Sequence, residues 1–238
     1  MIKNGNSLDQ RTFDKLSRLY IIALSTIALS VIISQVLVRN HLDTQISDST
    51  VINVAGRQRM LSQKLTKEIV SLSISSDKQN REILKNKIQE TLFLWELSHN
   101  SLQNGNDSLG LPEKNSFTIL SKFKGINPVF DTIQKASKSL IKKVSENPLI
   151  AMDVLAADIE KVINNEASFL LMMDEIVNQY SLEADEKVAW LRTLEFSLMI
   201  LTLLILLGEL LFVFWLAAKS VKSTLSELLS AEKIAKKM

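Results

Sequence analysis

The chain has no cysteine, which excludes disulfides, thiolate metal ligands and thiol nucleophiles. Histidine is scarce: His41 and His99 are isolated, and no metal site is expected from them. Three prolines and six glycines in 238 residues leave few breakers and point to long uninterrupted helices. Neither sign of charge dominates, with 28 Lys and Arg against 26 Asp and Glu, a net +2. No Lys/Arg run interleaved with aromatics occurs, so no nucleic-acid partner is expected. No nucleophile–base pair, metal cluster or phosphate-cradling loop occurs either. The chain therefore reads as non-catalytic, without cofactor. Internal repeats and low-complexity tracts are also missing.

Two long apolar runs are present. Leu19–Val38 contains no charge and has the length needed to cross a bilayer. A cleaved signal peptide has a shorter apolar core followed by a small-residue cleavage site. This run instead passes through Arg39, Asn40 and His41 into a helical pattern, so residues 19–38 are expected to be a first transmembrane helix. The second span is placed at 194–218, with Phe212, Phe214 and Trp215 at its far end, as at a membrane interface. Lys3, Arg11, Lys15 and Arg18 precede the first span, and Lys219, Lys222, Lys233, Lys236 and Lys237 follow the second. The positive-inside rule then places segments 1–18 and 219–238 in the cytoplasm of a bacterial inner membrane. Segment 39–193 falls on the periplasmic side.

That segment reads as wholly helical. A first helix continues from the membrane to about Ser76, and a second covers about Asp77–Leu102. Asn104–Asn115 is rich in turn formers and forms a loop. Ser116–Gly125 is expected as a short helix, Pro128 as the start of a third helix to about Ser145, and Asn147–Pro148 as a break. The last helix starts at or after Ile150 and runs into the membrane. The expected fold is all-α: an antiparallel four-helix bundle flanked by two transmembrane helices. Residues 219–238 carry Val221, Leu225, Leu228 and Ala235 near heptad spacing, fit to begin a parallel coiled coil. No kinase motif, phosphoacceptor histidine or room for a methyl-accepting hairpin follows the second span. The expectation is a piece of a longer receptor, or a protein that signals through a cytoplasmic or fused partner.

The stretch Ile52–Leu65, I-N-V-A-G-R-Q-R-M-L-S-Q-K-L, organises the bundle. Val54, Leu61, Leu65, Ile69 and Leu72 recur at helical spacing. Ile52, Gly56, Arg59, Gln63 and Thr66 share another stripe, with Arg57 about 200° away from Arg59. The two arginines cannot serve one site from the same face. Gly56, one turn before Arg59, suggests a seam where another helix approaches closely. A guanidinium in such a seam needs an anion, because an unpaired buried charge is very costly. That anion is either a small ligand or a carboxylate on the last helix such as Asp174.

The run N-V-A-G-R-Q-R-M-L-S-Q-K resembles the signature helix of the PilJ-type sensor domain of type IV pilus methyl-accepting transducers. It is also similar to the A-G-x-x-R-M-x-S pattern of the NarX/NarQ nitrate and nitrite sensor kinases. Leu170–Glu195 looks like the PilJ-type final helix, although W-L-A-A-K-S-V-K lacks the proline that often follows that family's span. In those families the Arg before the Met, one from each subunit of a dimer, holds one nitrate at the two-fold axis. The resemblance makes Arg59 the anion ligand, with Gly56, Arg57, Ser62 and Gln63 as candidate neighbours. It implies a homodimeric sensor of a nitrate- or nitrite-like anion, in a chemotaxis or two-component pathway. The alternative is a ligand-free envelope or pilus-linked interaction module in which Arg59 is internally paired. Glu209, a carboxylate inside the second span, is singled out for transmembrane packing or signalling, at a depth near Thr26 and Ser30.

Overall fold

A computed structural model describes residues 6–236. It contains four long helices, α1 (Asn6–Ile74), α2 (Lys78–Asn104), α3 (Phe117–Glu146) and α4 (Met152–Ala235), and a 3₁₀ turn at Asp107–Leu109. Among the described residues no strand forms, only an isolated bridge between Asn106 and Leu111. The chain is all-α, and it divides into two compact units, 42–188 and the pair of segments 1–41 and 189–238.

Unit 42–188 is a helical bundle built from parts of α1 and α4 with all of α2 and α3. Its core draws on every helix: Leu61, Leu65 and Ile69, then Ile88 and Trp95, Phe123, Ile126 and Phe130, and Phe169, Met173 and Ile176 are all buried. Asp77 caps α2 by accepting from the Asn80 N–H at 2.7 Å, and Ser116 caps α3 by accepting from the Ile119 N–H at 3.1 Å. Each cap satisfies a backbone donor that the helix itself leaves free. At the other end of α2, Gly105 sits at φ 81° and ψ 160°, a region that side chains exclude.

Pro128 does not begin a helix as its sequence context suggests. It lies inside α3, which runs unbroken from Phe117 to Glu146. An interior proline costs about 3 kcal/mol through its missing N–H and its clash with the preceding turn. Phe123 and Ile126 before it, and Phe130 and Ile133 after it, are all at most 4% exposed. Burying each contributes roughly 1.5–3 kcal/mol, enough to offset the break. Continuity also places Asn127, which the proline should push out of helix, half-buried against His99 and Gln103 of α2.

In the other unit, Tyr20–Arg39 and part of Met152–Ser223 are long and apolar enough to cross a membrane. The two stretches touch through Ser30 and Thr202, whose hydroxyls are 2.7 Å apart. Along α4, Leu198, Thr202, Ile205, Glu209, Val213 and Leu216 are half-buried, while the residues between them are exposed. The matching residues of α1 include Thr26, Ile27, Ser30 and Ser34. Trp215 lies beside Phe212, the rings tilted with centres 6.3 Å apart, and under the Lys219 ammonium, 5.3 Å from its ring centre.

Candidate functional site

The stripe Ile52, Gly56, Arg59, Gln63 and Thr66 emerges from the bundle along the α1–α4 side. There Gly56, Arg59, Met60 and Gln63 of α1, with Leu170, Leu171 and Asp174 of α4, line an open cleft of about 430 Å³. Across it Arg59 Nη1 donates to Asp174 Oδ1, and the two form an ion pair. Arg59 thus takes the carboxylate on the last helix that its sequence left as the alternative to a ligand. Both side chains remain open to water, 43% and 47% exposed.

The other expected residues separate. Gln63 is exposed and lines the cleft. Arg57 is exposed but does not border the cleft, as its position 200° round the helix requires. Ser62 is 1% exposed and its hydroxyl donates to the Arg59 carbonyl at 2.9 Å. It is turned into the bundle and is no cleft donor, because one step of about 100° carries it past the stripe. Gly56 also differs from expectation: a Cβ built there meets nothing within 4 Å. No helix of this chain closes on it, and the glycine opens onto the cleft instead. Met60 and Leu171, which form the apolar rim, went unnoticed in the sequence. Their signal was position: Met60 follows Arg59 on the side of α1 away from Leu61 and Leu65.

Glu209 is half-buried and lies two turns beyond Thr202 on the same face of α4. It is Thr202 that meets Ser30, while the Thr26 hydroxyl donates to the Ile22 carbonyl at 2.8 Å. Because the two stretches run antiparallel, Glu209 lies about two turns from Ser30 toward the N-terminal end of α1, within about a turn of the level of Thr26.

Behind the cleft the core holds a polar group that sequence spacing left isolated. His99 is 1% exposed and bonds through Nε2 to Asn127 Oδ1 at 2.9 Å. Gln103 and Asn127 complete the set with two further bonds, of 3.2 and 3.1 Å. The imidazole packs among Trp95, Phe123, Phe130 and Phe169, and its Nδ1 has no hydrogen-bond partner. Burial pushes its pKa down to about 4, against smaller opposing effects of Asn127 and Asp131. Nearby, Gln58 donates to the Trp95 carbonyl at 3.1 Å. No group of three or more metal-ligating side chains occurs among the described residues.

Residues 41–158 match the family model for the N-terminal region of type IV pili methyl-accepting chemotaxis transducers, PilJ. The chain carries a PilJ-type sensor domain. The match spans α2 and α3, the signature helix on α1 and the start of α4, and so contains Gly56, Arg59, Met60 and Gln63 of the cleft. The α4 wall of the cleft, with Asp174, lies beyond the matched range. No curated protein and no solved structure matches the chain.

Proposed function

We propose that the chain is the sensor and membrane part of a chemotaxis-type receptor. It is a non-catalytic homodimer in the bacterial inner membrane, with its bundle in the periplasm and both termini in the cytoplasm. The basic residues outside each span support that orientation.

The input is a small oxyanion of the nitrate or nitrite kind, held by Arg59. The observation that carries this reading is that Arg59 and Asp174 pair in the open, in the lining of a cleft. Exposed ion pairs are worth about 0–1 kcal/mol, so replacing Asp174 by an incoming oxyanion costs little. The guanidinium fork offers such an anion two parallel hydrogen bonds. The cleft is too open for one chain to enclose a three- or four-atom ligand, and binding sites bury most of their ligand. A second copy covering the α1–α4 side supplies the missing wall. Met60 and Leu171, 51% and 71% exposed, form the apolar rim that it would cover. The relation to nitrate sensors rests on the signature helix.

The resting state is not two bare arginines repelling across an axis, because each Arg59 has Asp174 as its own counter-ion. The signal is an exchange of partners. The anion takes Arg59 from Asp174 and releases a tie between α1 and α4, the two helices that lead to the membrane. This works only if the anion binds the released arrangement more tightly than the tied one.

A second reading has one observation in its favour. Arg59 already holds a carboxylate of its own chain, as a ligand-free interaction module for an envelope or pilus partner requires. Calorimetric titration separates the two. The full chain in lipid nanodiscs is titrated with nitrate, nitrite, chloride and sulfate, alongside Arg59→Ala and Asp174→Asn. The sensor reading expects about one anion per two chains, loss of binding in Arg59→Ala, and tighter binding in Asp174→Asn, where the competing charge is gone. If neither the parent chain nor Asp174→Asn, both folded, binds any of the four, the interaction module replaces the sensor.

A further inference from the structure

The two spans, Tyr20–Arg39 and 194–218, contain two acids, Glu195 at the very start of the second and Glu209 well inside it. At about 1.5 Å per residue Glu209 lies roughly 20 Å beyond Phe196 and roughly 15 Å before Lys219. In a hydrocarbon layer about 30 Å thick that is close to the middle, too deep for its short side chain to reach either interface. A polar group at that depth needs a hydrogen-bond partner, since no water is there to supply one.

Among the described residues the chain does not provide it. The seam hydroxyls nearest its level are already committed. Ser30 and Thr202 meet at 2.7 Å, Thr202 also bonds the Leu198 carbonyl at 2.9 Å, and Thr26 bonds the Ile22 carbonyl. Glu209 has no hydrogen bond or ion pair among the described residues. Yet it stays on the seam face, in line with Thr202, Ile205, Val213 and Leu216, instead of pointing away from α1. Beside it Gly208 is exposed, and a Cβ there meets nothing within 4 Å, so another helix has room to approach.

Symmetry identifies that helix. In a parallel dimer whose two-fold axis runs along the bilayer normal, each residue lies at the same depth as its own copy. The polar group at the depth of Glu209 is then Glu209 of the partner subunit. A carboxylic acid has both an O–H donor and an acceptor oxygen, so two of them satisfy each other. We propose that the Glu209 carboxyl groups of two subunits hydrogen-bond across the dimer axis in mid-membrane and fix the register of the four spans. This inference rests on the membrane-spanning dimer proposed above, and it adds a contact independent of the anion cleft.

The absence of native cysteine makes the test clean. Ile205→Cys, one turn from Glu209 on the same face, reports contact between spans. Met60→Cys reports contact between bundles. Each is placed in the full chain in membranes, alone and combined with Glu209→Ala or Glu209→Gln, and disulfide cross-linking is measured. The inference expects Ile205→Cys to cross-link and Glu209→Ala to reduce that product about fivefold or more. Glu209→Gln should retain it, since an amide also donates and accepts, and the Met60→Cys product should persist in every background. Span cross-linking that is absent, or indifferent to Glu209→Ala, while Met60→Cys still cross-links, overturns the carboxyl pair and leaves the dimer standing. If neither cysteine cross-links, the dimer itself is wrong and the pair falls with it.

Discussion

The His99 imidazole lies flat on the Phe130 ring, with centroids 3.8 Å apart and planes 8° from parallel. This stack joins α2 to α3 in the centre of the bundle and leaves the ring neutral, because Nδ1 faces no acceptor for a second proton. The pH dependence follows. The folded-state pKa, about 4, is below the ordinary 6.5, so the unfolded chain binds the proton more readily. The contribution of neutral His99 is complete above about pH 6.5 and is lost as pH falls toward 4, by up to roughly 3 kcal/mol. Urea unfolding of the parent chain and His99→Gln at steps from pH 7.5 to 4 checks this. The difference between the two should shrink as pH falls; a constant difference sinks the assignment.

Gly56→Ala should stabilise the chain. The residue is inside α1, its Cβ would meet nothing within 4 Å, and helix interiors favour alanine over glycine by about 0.5–1 kcal/mol. The check is the denaturation midpoint at concentrations where the chain is monomeric. A lower midpoint would contradict the open space seen there.

Gly105→Ala should do the opposite. At φ 81° a Cβ would lie 2.6 Å from the Glu113 Cα and 2.8 Å from its nitrogen, so backbone must move. A loss of about 1–3 kcal/mol is expected, with the 105–116 loop loosened. Faster proteolytic nicking in that loop is the direct readout, and an unchanged rate and midpoint would count against it.

Tyr180→Phe tests how α4 is fastened to the same loop. The Tyr180 hydroxyl donates to Asn115 Oδ1 at 2.8 Å, and Asn115 Nδ2 donates to the Leu102 carbonyl at 2.7 Å. Removing the hydroxyl should cost about 0.5–1.5 kcal/mol, measured by thermal or urea unfolding. A neutral substitution would mean that Asn115 finds another donor.

The helices were legible because hydrophobic period and scarce breakers are local properties. Leu61, Leu65, Ile69 and Leu72, spaced for one helical face, are indeed the buried face of α1. Two apolar runs without internal Pro marked the segments long enough to span a membrane. The PilJ-type signature was equally local, a dozen consecutive residues. Pro128 misled for the same reason. Its local preference is to break a helix, and only the burial of Phe123, Ile126, Phe130 and Ile133 on a common face overrides it.

The chain's own pattern therefore determined the all-α class, the two stretches long and apolar enough to cross a membrane, and the stripe that carries Gly56, Arg59 and Gln63. Angular spacing also separated Arg57 from Arg59. Which anion neutralises Arg59 was beyond its reach, because Asp174 is 115 residues away and meets it only when α1 and α4 lie side by side. The same limit hid the inward turn of Ser62, the empty space at Gly56 and the pairing of Ser30 with Thr202. Periodicity says which face of a helix is buried. What stands opposite that face depends on register between distant segments, and only the packed tertiary structure decides it.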